Sequence, residues 1–395
     1  MVIPWLWHLK VGRNSNMDTQ NQNLDIVWVD TDAVLKEWCD YWSTLPFVAV
    51  DTEFVRRTTY YPVTGLIQIS EGKKAVLIDP QTISDWSALR DLMVNESVMK
   101  VFHACSEDLD VFDRLLGVLP VPFYDTQIGE AFAGAEWSLS YVKLVKAYLD
   151  IDVAKDETRS DWTLRPLTDA QKRYAALDVI YLAEVYPMQV QRLQSKGMLD
   201  WVLEDCESLK WQYQQNNDPE QNWDGVKAAW RLSPKGLTLL RMLFLWRDER
   251  ARQDDLPKGQ VLKDRSLWAI AKFMPDSARS LGKVEDVTPK QVRLYADVVL
   301  EKVACVNELS ADEFQNPLPA PLPSDAGDLS KAIRSYLKEL AQTFAIAPEV
   351  VLKRKLLDPL LRHIYEGSPM DWSNPAFNGW RQDKVIKPLL EKFAK

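Results

Sequence analysis

The chain has 395 residues, too many for one ordinary compact core, so about two to four domains are expected. An apolar share of 46% and a charged share of 27% fit a globular protein and exclude disordered or collagenous classes. The net charge of −9 stands against a nucleic-acid partner, because phosphates are neutralised by Lys and Arg. That objection is incomplete: a carboxylate-rich metal site adds negative charge that bound cations cancel, and basic groups can still gather on one face.

No apolar run approaches the roughly 20 residues that span a bilayer, and the short Met1–Leu9 stretch precedes Lys10 and Arg13 instead of following basic residues. A cytoplasmic protein without membrane contact is expected. Residues 1–23 read as an N-terminal extension, of which the first sixteen are a loose tail or the product of an upstream start ahead of Met17. Cys39, Cys105, Cys206 and Cys305 are far apart, form no CxxC pair and read as buried small hydrophobes. With only His8, His103 and His363, a His-based zinc site or a Ser-His-Asp triad lacks material. Hydrolytic chemistry must then rest on carboxylates.

In chain order, FVAVDTEF from Phe47, GLIQIS from Gly65 and KAVLID from Lys74 predict three successive strands. SDWSALRDLMV, KVFHAC and SEDLDVFDRLLG then alternate helix, strand and helix, followed by the stretch beginning PFYDTQ. This order predicts a mixed α/β sheet covered by helices. Beyond about Ser138 helical periodicity takes over. The polar stretch QYQQNNDPEQNWD, from Gln212 to Asp224, reads as a linker. Ser233-Pro234 and Thr288-Pro289 each place an N-cap residue before a first-turn proline, and SLWAIAKF supplies a helix between them. The proline-rich NPLPAPLPSDAG forms a stiff spacer before KAIRSYLKELAQTFA, PEVVLKRKLLDPLLRHIY and VIKPLLEKFAK. The two C-terminal segments share size and character and read as a degenerate repeat of one helical module.

Three acidic groups stand out. Asp51 and Glu53, two apart at the end of an apolar strand, point to the same side of the sheet, where two carboxylates repel and call for positive charge between them. As a bland alternative they are surface acids of a loop. In SEDLDVFDRLLG, Ser106 reads as an N-cap with Glu107 and Asp108 in the first turn, where acids are stabilised by the helix dipole without any function. Asp108, Asp110 and Asp113 cannot share one face, and spacing does not choose among them. In TDAQKRYAALDVIYLAEVY, Thr168 and Gln171 fit a capping box, so Tyr174 and Asp178 fall four apart on one face, with Asp178 inside an apolar stretch. Four acids balance two divalent cations, and magnesium or manganese suits oxygen ligands. Two such ions activate water and stabilise the leaving oxygen in phosphodiester cleavage, and the tyrosine need only orient that water.

The segments VAVDTEFVRRTTYYPVTGLIQIS, KVFHACSEDLDVF and TRSDWTLRPLTDAQKRYAALDVIYL resemble the three exonuclease motifs of the ribonuclease D family, DEDDy exonucleases with a ribonuclease H-like fold. The resemblance implies that Asp51, Glu53, Asp108 and Asp178 hold metal and that Tyr174 completes the catalytic set, choosing Asp108 over Asp110. It extends through AWRLSPKGLTLLRMLFLWRDERARQDDLP and LWAIAKFMP, which resemble the HRDC module that this family carries twice. Four parts follow: residues 1–23, an exonuclease domain over 24–211, and HRDC-type modules over 224–306 and 327–395. The implied activity is 3′→5′ removal of nucleotides from transfer-RNA precursors and other small structured RNAs, releasing nucleoside 5′-monophosphates, by a monomer. A DNA exonuclease of the same superfamily and a non-catalytic RNA-binding scaffold are the rival readings.

Arg56 and Arg57 follow the first motif, and Arg159 and Arg165 flank Trp162 before the third; Arg165 is a candidate for holding substrate phosphate. His103, beside the second motif, is a further substrate-binding candidate whose bland reading is a satisfied core histidine. The tryptophans Trp38, Trp42, Trp86, Trp230 and Trp246 sit in helical apolar patterns and read as core. Arg241, Arg247, Arg250 and Arg252 share a helix with Asp248 and Glu249, a mixture weaker than a basic stripe.

Overall fold

The computed structural model of the chain describes residues 24–134, 136–153 and 160–394. The N-terminal extension and Arg159 lie outside the described residues. The chain divides into two compact units: residues up to Val55, Pro62–Trp211 and Pro323–Lys395 form one, and Arg56–Tyr61 with Gln212–Leu322 the other.

The first unit is built on a six-stranded mixed sheet in the order β1-β4-β3-β2-β5-β6. Its elements follow as β1 (Asp25–Val29), α1 (Asp32–Trp42), β2 (Phe47–Val55), β3 (Val63–Ser70), β4 (Lys74–Ile78), α2 (Ser87–Val94), β5 (Met99–Phe102), α3 (Ser106–Leu116), β6 (Phe123–Asp125), α4 (Thr126–Ala133), α5 (Tyr141–Leu149), α6 (Asp169–Ser195) and α7 (Leu199–Asn217). Strands β2, β3 and β4 run antiparallel in succession, while β1 joins β4 and β5 and β6 join β2 in parallel. The continuous apolar runs have the burial that central strands require: Val48, Ala49, Val50, Leu66, Ile67 and Ile69 are fully buried. Strand β1 has no counterpart in the sequence reading, because its five residues DIVWV are short and only Val29 is buried.

Helix α6 starts where the capping box places it: Thr168 accepts from the Gln171 amide while Gln171 Oε1 accepts from the Thr168 amide. Its middle is apolar on most sides, with Ala175, Ala176, Val179, Ile180 and Leu182 buried, as expected of a helix packed into a core. Helix α3 begins one residue earlier than expected, with Cys105 and not Ser106 at the N-cap position. The polar stretch expected as a linker from Gln212 instead continues α7 to Asn217, since Gln tolerates a helix well, and Pro219 follows in a 3₁₀ turn.

The second unit holds α8 (Pro234–Gln253), α9 (Lys258–Val261), α10 (Asp264–Phe273), α11 (Ala278–Leu281) and α12 (Pro289–Glu308). Ser233 and Thr288 cap α8 and α12 ahead of their first-turn prolines, as read. Leu237, Leu240, Leu243, Leu267, Ile270 and Val299 form the core. The four α8 arginines each pair with an acid of this unit: Arg241 with Glu220, Arg247 with Asp264, Arg250 with Asp254 and Arg252 with Asp248. Trp230 is 37% exposed and Cys305 is exposed, against the expectation that both are core.

The C-terminal helices α13 (Ala326–Phe344), α14 (Pro348–Val351), α15 (Arg354–Glu366), α16 (Gly379–Arg381) and α17 (Lys387–Phe393) belong to the first unit. PEVVLKRKLLDPLLRHIY is not one helix but breaks between α14 and α15. The anchor of this segment is α7. The Arg381 guanidinium, 3% exposed, donates to both oxygens of Asp205 at 2.5 and 2.6 Å and to the Val350 carbonyl, while the Trp380 ring stacks on Trp201 at 4.6 Å. No helix among the described residues is long and apolar enough to cross a membrane.

Candidate active site

Strand β2 carries Asp51 and Glu53 out of its buried VAV run, and α6 crosses behind it with Asp178 in its interior. The alternation of the strand puts both acids on one side. Asp51, Glu53 and Asp178 each present a carboxylate oxygen within 4.8 Å of the others. Asp178 is 9% exposed and Asp108 6%, while Asp51 and Glu53 are half-buried. Asp108 is not one of this mutually close trio. Its carboxylate instead accepts from the Thr52 hydroxyl at 2.5 Å, on the residue between Asp51 and Glu53.

The electrostatics show charge without compensation among the described side chains. Burial, and then the Asp178 carboxylate, push Asp51 well above the usual carboxylate range. Glu53 is pushed up to about 10 by burial and by Asp51, Asp178 and Asp108. Burial and Asp51 raise Asp108, against the Thr52 hydrogen bond. Burial pushes Asp178 up to about 7, against the hydrogen bond from Tyr174. Four hard oxygen donors whose charged forms are disfavoured by burial, and in Asp51, Glu53 and Asp108 by neighbouring carboxylates as well, fit divalent cations, which oppose those shifts.

Tyr174 lies one helical turn before Asp178, where the capping box phases it, and its hydroxyl bonds to the Asp178 carboxylate. Burial and the neighbouring Asp178, Glu53 and Asp51 raise its phenol further above its ordinary value of 10.

Three supporting residues escaped the sequence reading. Asp125, at the end of β6, accepts from the amides of Ala104, Cys105 and Gln127 at 3.0, 3.0 and 2.8 Å. Ala104 has a φ of 59°, unusual for a residue with a Cβ, so Asp125 holds the strained turn that launches α3 and aims Asp108. The DTQ sequence at a helix start was its available signal. Thr52 and Tyr141 gave none. Tyr141, on α5, donates to the carbonyls of Leu177 and Asp178 at 2.9 and 2.6 Å and holds that stretch of α6.

The two substrate-binding candidates are placed differently. Thr126 Oγ1 donates its proton to the Phe102 carbonyl, so the 3.0 Å contact with His103 Nδ1 has the imidazole as donor. Burial lowers the His103 pKa, and its ring packs edge-on against Tyr141 at 5.6 Å. Arg165 directs Nε to Asp79 at 2.8 Å, Nη1 to the carbonyls of Trp162 and Leu164 at 2.9 Å each, and Nη2 to Gly65 O at 2.7 Å and Asp79 at 2.6 Å. All five donors of the guanidinium are used, which leaves none for a phosphate.

A 3′-5′ exonuclease family model matches residues 26–194, and an HRDC domain model matches residues 236–303. The chain is 42% identical over 366 residues to a ribonuclease D of Pseudomonas paraeruginosa, covering 93% of this chain and 97% of that protein. It is 33% identical to ribonuclease D of Escherichia coli, covering 91% and 96% respectively. The solved structure of the Escherichia coli RNase D, described as an exoribonuclease involved in structured RNA processing, superposes with a TM-score of 0.87 over 95% of this chain and all of that one, at 32% identity. Arrayed on this fold, with acids of β2 and α6 converging beside Thr52-held Asp108, the chain belongs to the ribonuclease D family of 3′→5′ exoribonucleases.

Proposed function

We propose that the protein trims the 3′ ends of transfer-RNA precursors and other small structured RNAs, one nucleotide at a time, as a cytoplasmic monomer releasing nucleoside 5′-monophosphates. The observation that carries this reading is the convergence of Asp51, Glu53 and Asp178 on one point, with Asp108 tied to the same strand through Thr52.

In this reading Asp51, Glu53, Asp108 and Asp178 hold two divalent cations, magnesium or manganese. Bound there, such cations supply Lewis-acid stabilisation of charge on the scissile phosphate and a lowered pKa for water. The protein's own groups do the rest. Tyr174 is no general base: its phenol keeps its proton at neutral pH and spends it on Asp178, leaving oxygen lone pairs to accept from the attacking water and orient it. Asp125 and Tyr141 act at one remove, by fixing the backbone from which Asp108 and Asp178 project. The segments 224–306 and 327–395 are, in this reading, two HRDC-type modules that add RNA-binding surface, the second a degenerate copy.

The test compares RNA and DNA strands of matched sequence, each with a free 3′ end, in Mg²⁺, in Mn²⁺ and in chelator. Stepwise shortening of RNA, dependent on metal and abolished by Asp51→Asn or Asp178→Asn, is expected. A preference for DNA would transfer the protein to the DNA exonucleases, and cleavage of neither strand would leave an RNA-binding scaffold.

A further inference from the structure

We infer that Arg165 and Asp79 are a positioning pair for the exonuclease site, locking the loop ahead of α6 onto the β-bulge beside Glu53 and thereby fixing where Tyr174 meets the carboxylates. The inference rests on the functional reading above and assigns a new role within it.

The pairing of β2 with β3 slips at the site itself. Glu53 faces Leu66 and Phe54 faces Thr64, so Gly65 is the extra residue of a bulge immediately next to a proposed metal ligand. Trp162 is packed so closely on Gly65 that an added Cβ would lie 2.5 Å from the Trp162 Cβ. The Arg165 guanidinium donates to the carbonyls of Gly65, Trp162 and Leu164 together and so ties the bulge to the loop. Its two remaining N–H groups close on Asp79, whose side chain is 5% exposed against 19% for Arg165. A second tie runs parallel to the first: the Gln81 amide donates to Asp79, and Gln81 Nε2 donates to the Thr163 carbonyl at 2.6 Å.

Trp162, 2% exposed, passes this restraint to the site. Its ring lies 6.1 Å from that of Tyr174, and it shares an apolar cluster with Leu66, Leu167 and Ala175. Asp79, at the end of β4, therefore reaches the catalytic helix through Arg165, the loop and Trp162. A guanidinium is required because only its planar fork serves five acceptors at once; lysine keeps the charge but not the geometry.

Steady-state kcat and KM on an RNA with a single-stranded 3′ end, in Mg²⁺, test the pair through Arg165→Lys, Asp79→Asn and the double variant. Each single change is expected to lower kcat about 10- to 100-fold with KM held within about threefold, because a misplacement near 1 Å costs turnover more than binding. The double variant should lose no more than the worse single, since both remove one device. If KM rises while kcat stays unchanged, Arg165 is a phosphate ligand and the inference is overturned; losses that multiply, or wild-type kcat in Asp79→Asn, overturn it equally. Should Asp79→Asn not fold, Arg165→Lys, which retains a cation opposite Asp79, decides the matter by the same split between kcat and KM. Wild-type protein inert on RNA with either metal would defeat the functional reading, whereas an active wild type beside an unimpaired Arg165→Lys defeats the positioning role alone.

Discussion

Replacing Asp178 with Asn should destroy activity and yet make the metal-free protein more stable. Asp178 carries its carboxyl up from an ordinary 3.8 to about 7, with burial as the cause. An acid whose folded pKa lies above its unfolded value weakens the fold as pH rises between the two, and the full penalty is present above the folded value. At about 1.36 kcal/mol per pH unit, a rise of about three units corresponds to on the order of 4 kcal/mol at pH 8 as an upper limit. Asn is nearly isosteric and keeps an oxygen that accepts from Tyr174, so little of this is given back. Urea denaturation in chelator at pH 8 should show Asp178→Asn more stable than wild type, with the gap shrinking as pH falls toward 4. Added Mn²⁺ should reverse the order, because only the wild type gains the full binding energy of the ion. A variant no more stable than wild type at pH 8 without metal, or a gap of the same size at pH 4, would refute the view that the fold holds the Asp178 carboxylate against the cost of its burial.

Other consequences follow from particular contacts. Tyr174→Phe should lower kcat about 10²-fold while leaving Mn²⁺ affinity close to wild type, and an equal loss of both would return the hydroxyl to the ligand set. Asp108→Asn should abolish RNA shortening with the circular dichroism spectrum unchanged; retained activity would remove Asp108 from the site. Arg381→Met leaves Asp205 buried without its cation and should cost about 3–5 kcal/mol in urea denaturation, so a loss below about 1 kcal/mol contradicts the anchoring of the C-terminal helices on α7. Gly65→Ala must displace Trp162 and should destabilise the protein by about 1–3 kcal/mol, measured by the same assay.

The site shows how far local chemistry reaches. Asp51 and Glu53 were legible because a strand alternates its side chains, and Tyr174 with Asp178 because a capping box fixes helical phase. Asp108 was chosen by resemblance, since helical spacing alone left it level with Asp110 and Asp113. Its bond to Thr52 joins residues 56 apart in sequence, and no local rule reports such a contact. The arginine ahead of the third motif was a candidate phosphate ligand from its charge and position; only the folded structure reveals that its donors are already taken by Asp79 and by carbonyls from β3 and its own loop.

By itself the sequence determined the periodic and covalent facts: buried strands from continuous apolar runs, helix starts from Ser-Pro, Thr-Pro and the capping box, and a store of acids too rich for the histidines present. These depend on neighbours a few residues away. Tertiary structure alone decided that the last helices close on α7 through Arg381 and Asp205, and that a bulge at Gly65 admits Trp162. Each of those rests on long-range packing, in which the partner of a side chain is chosen by the shape of the whole core and not by its position along the chain.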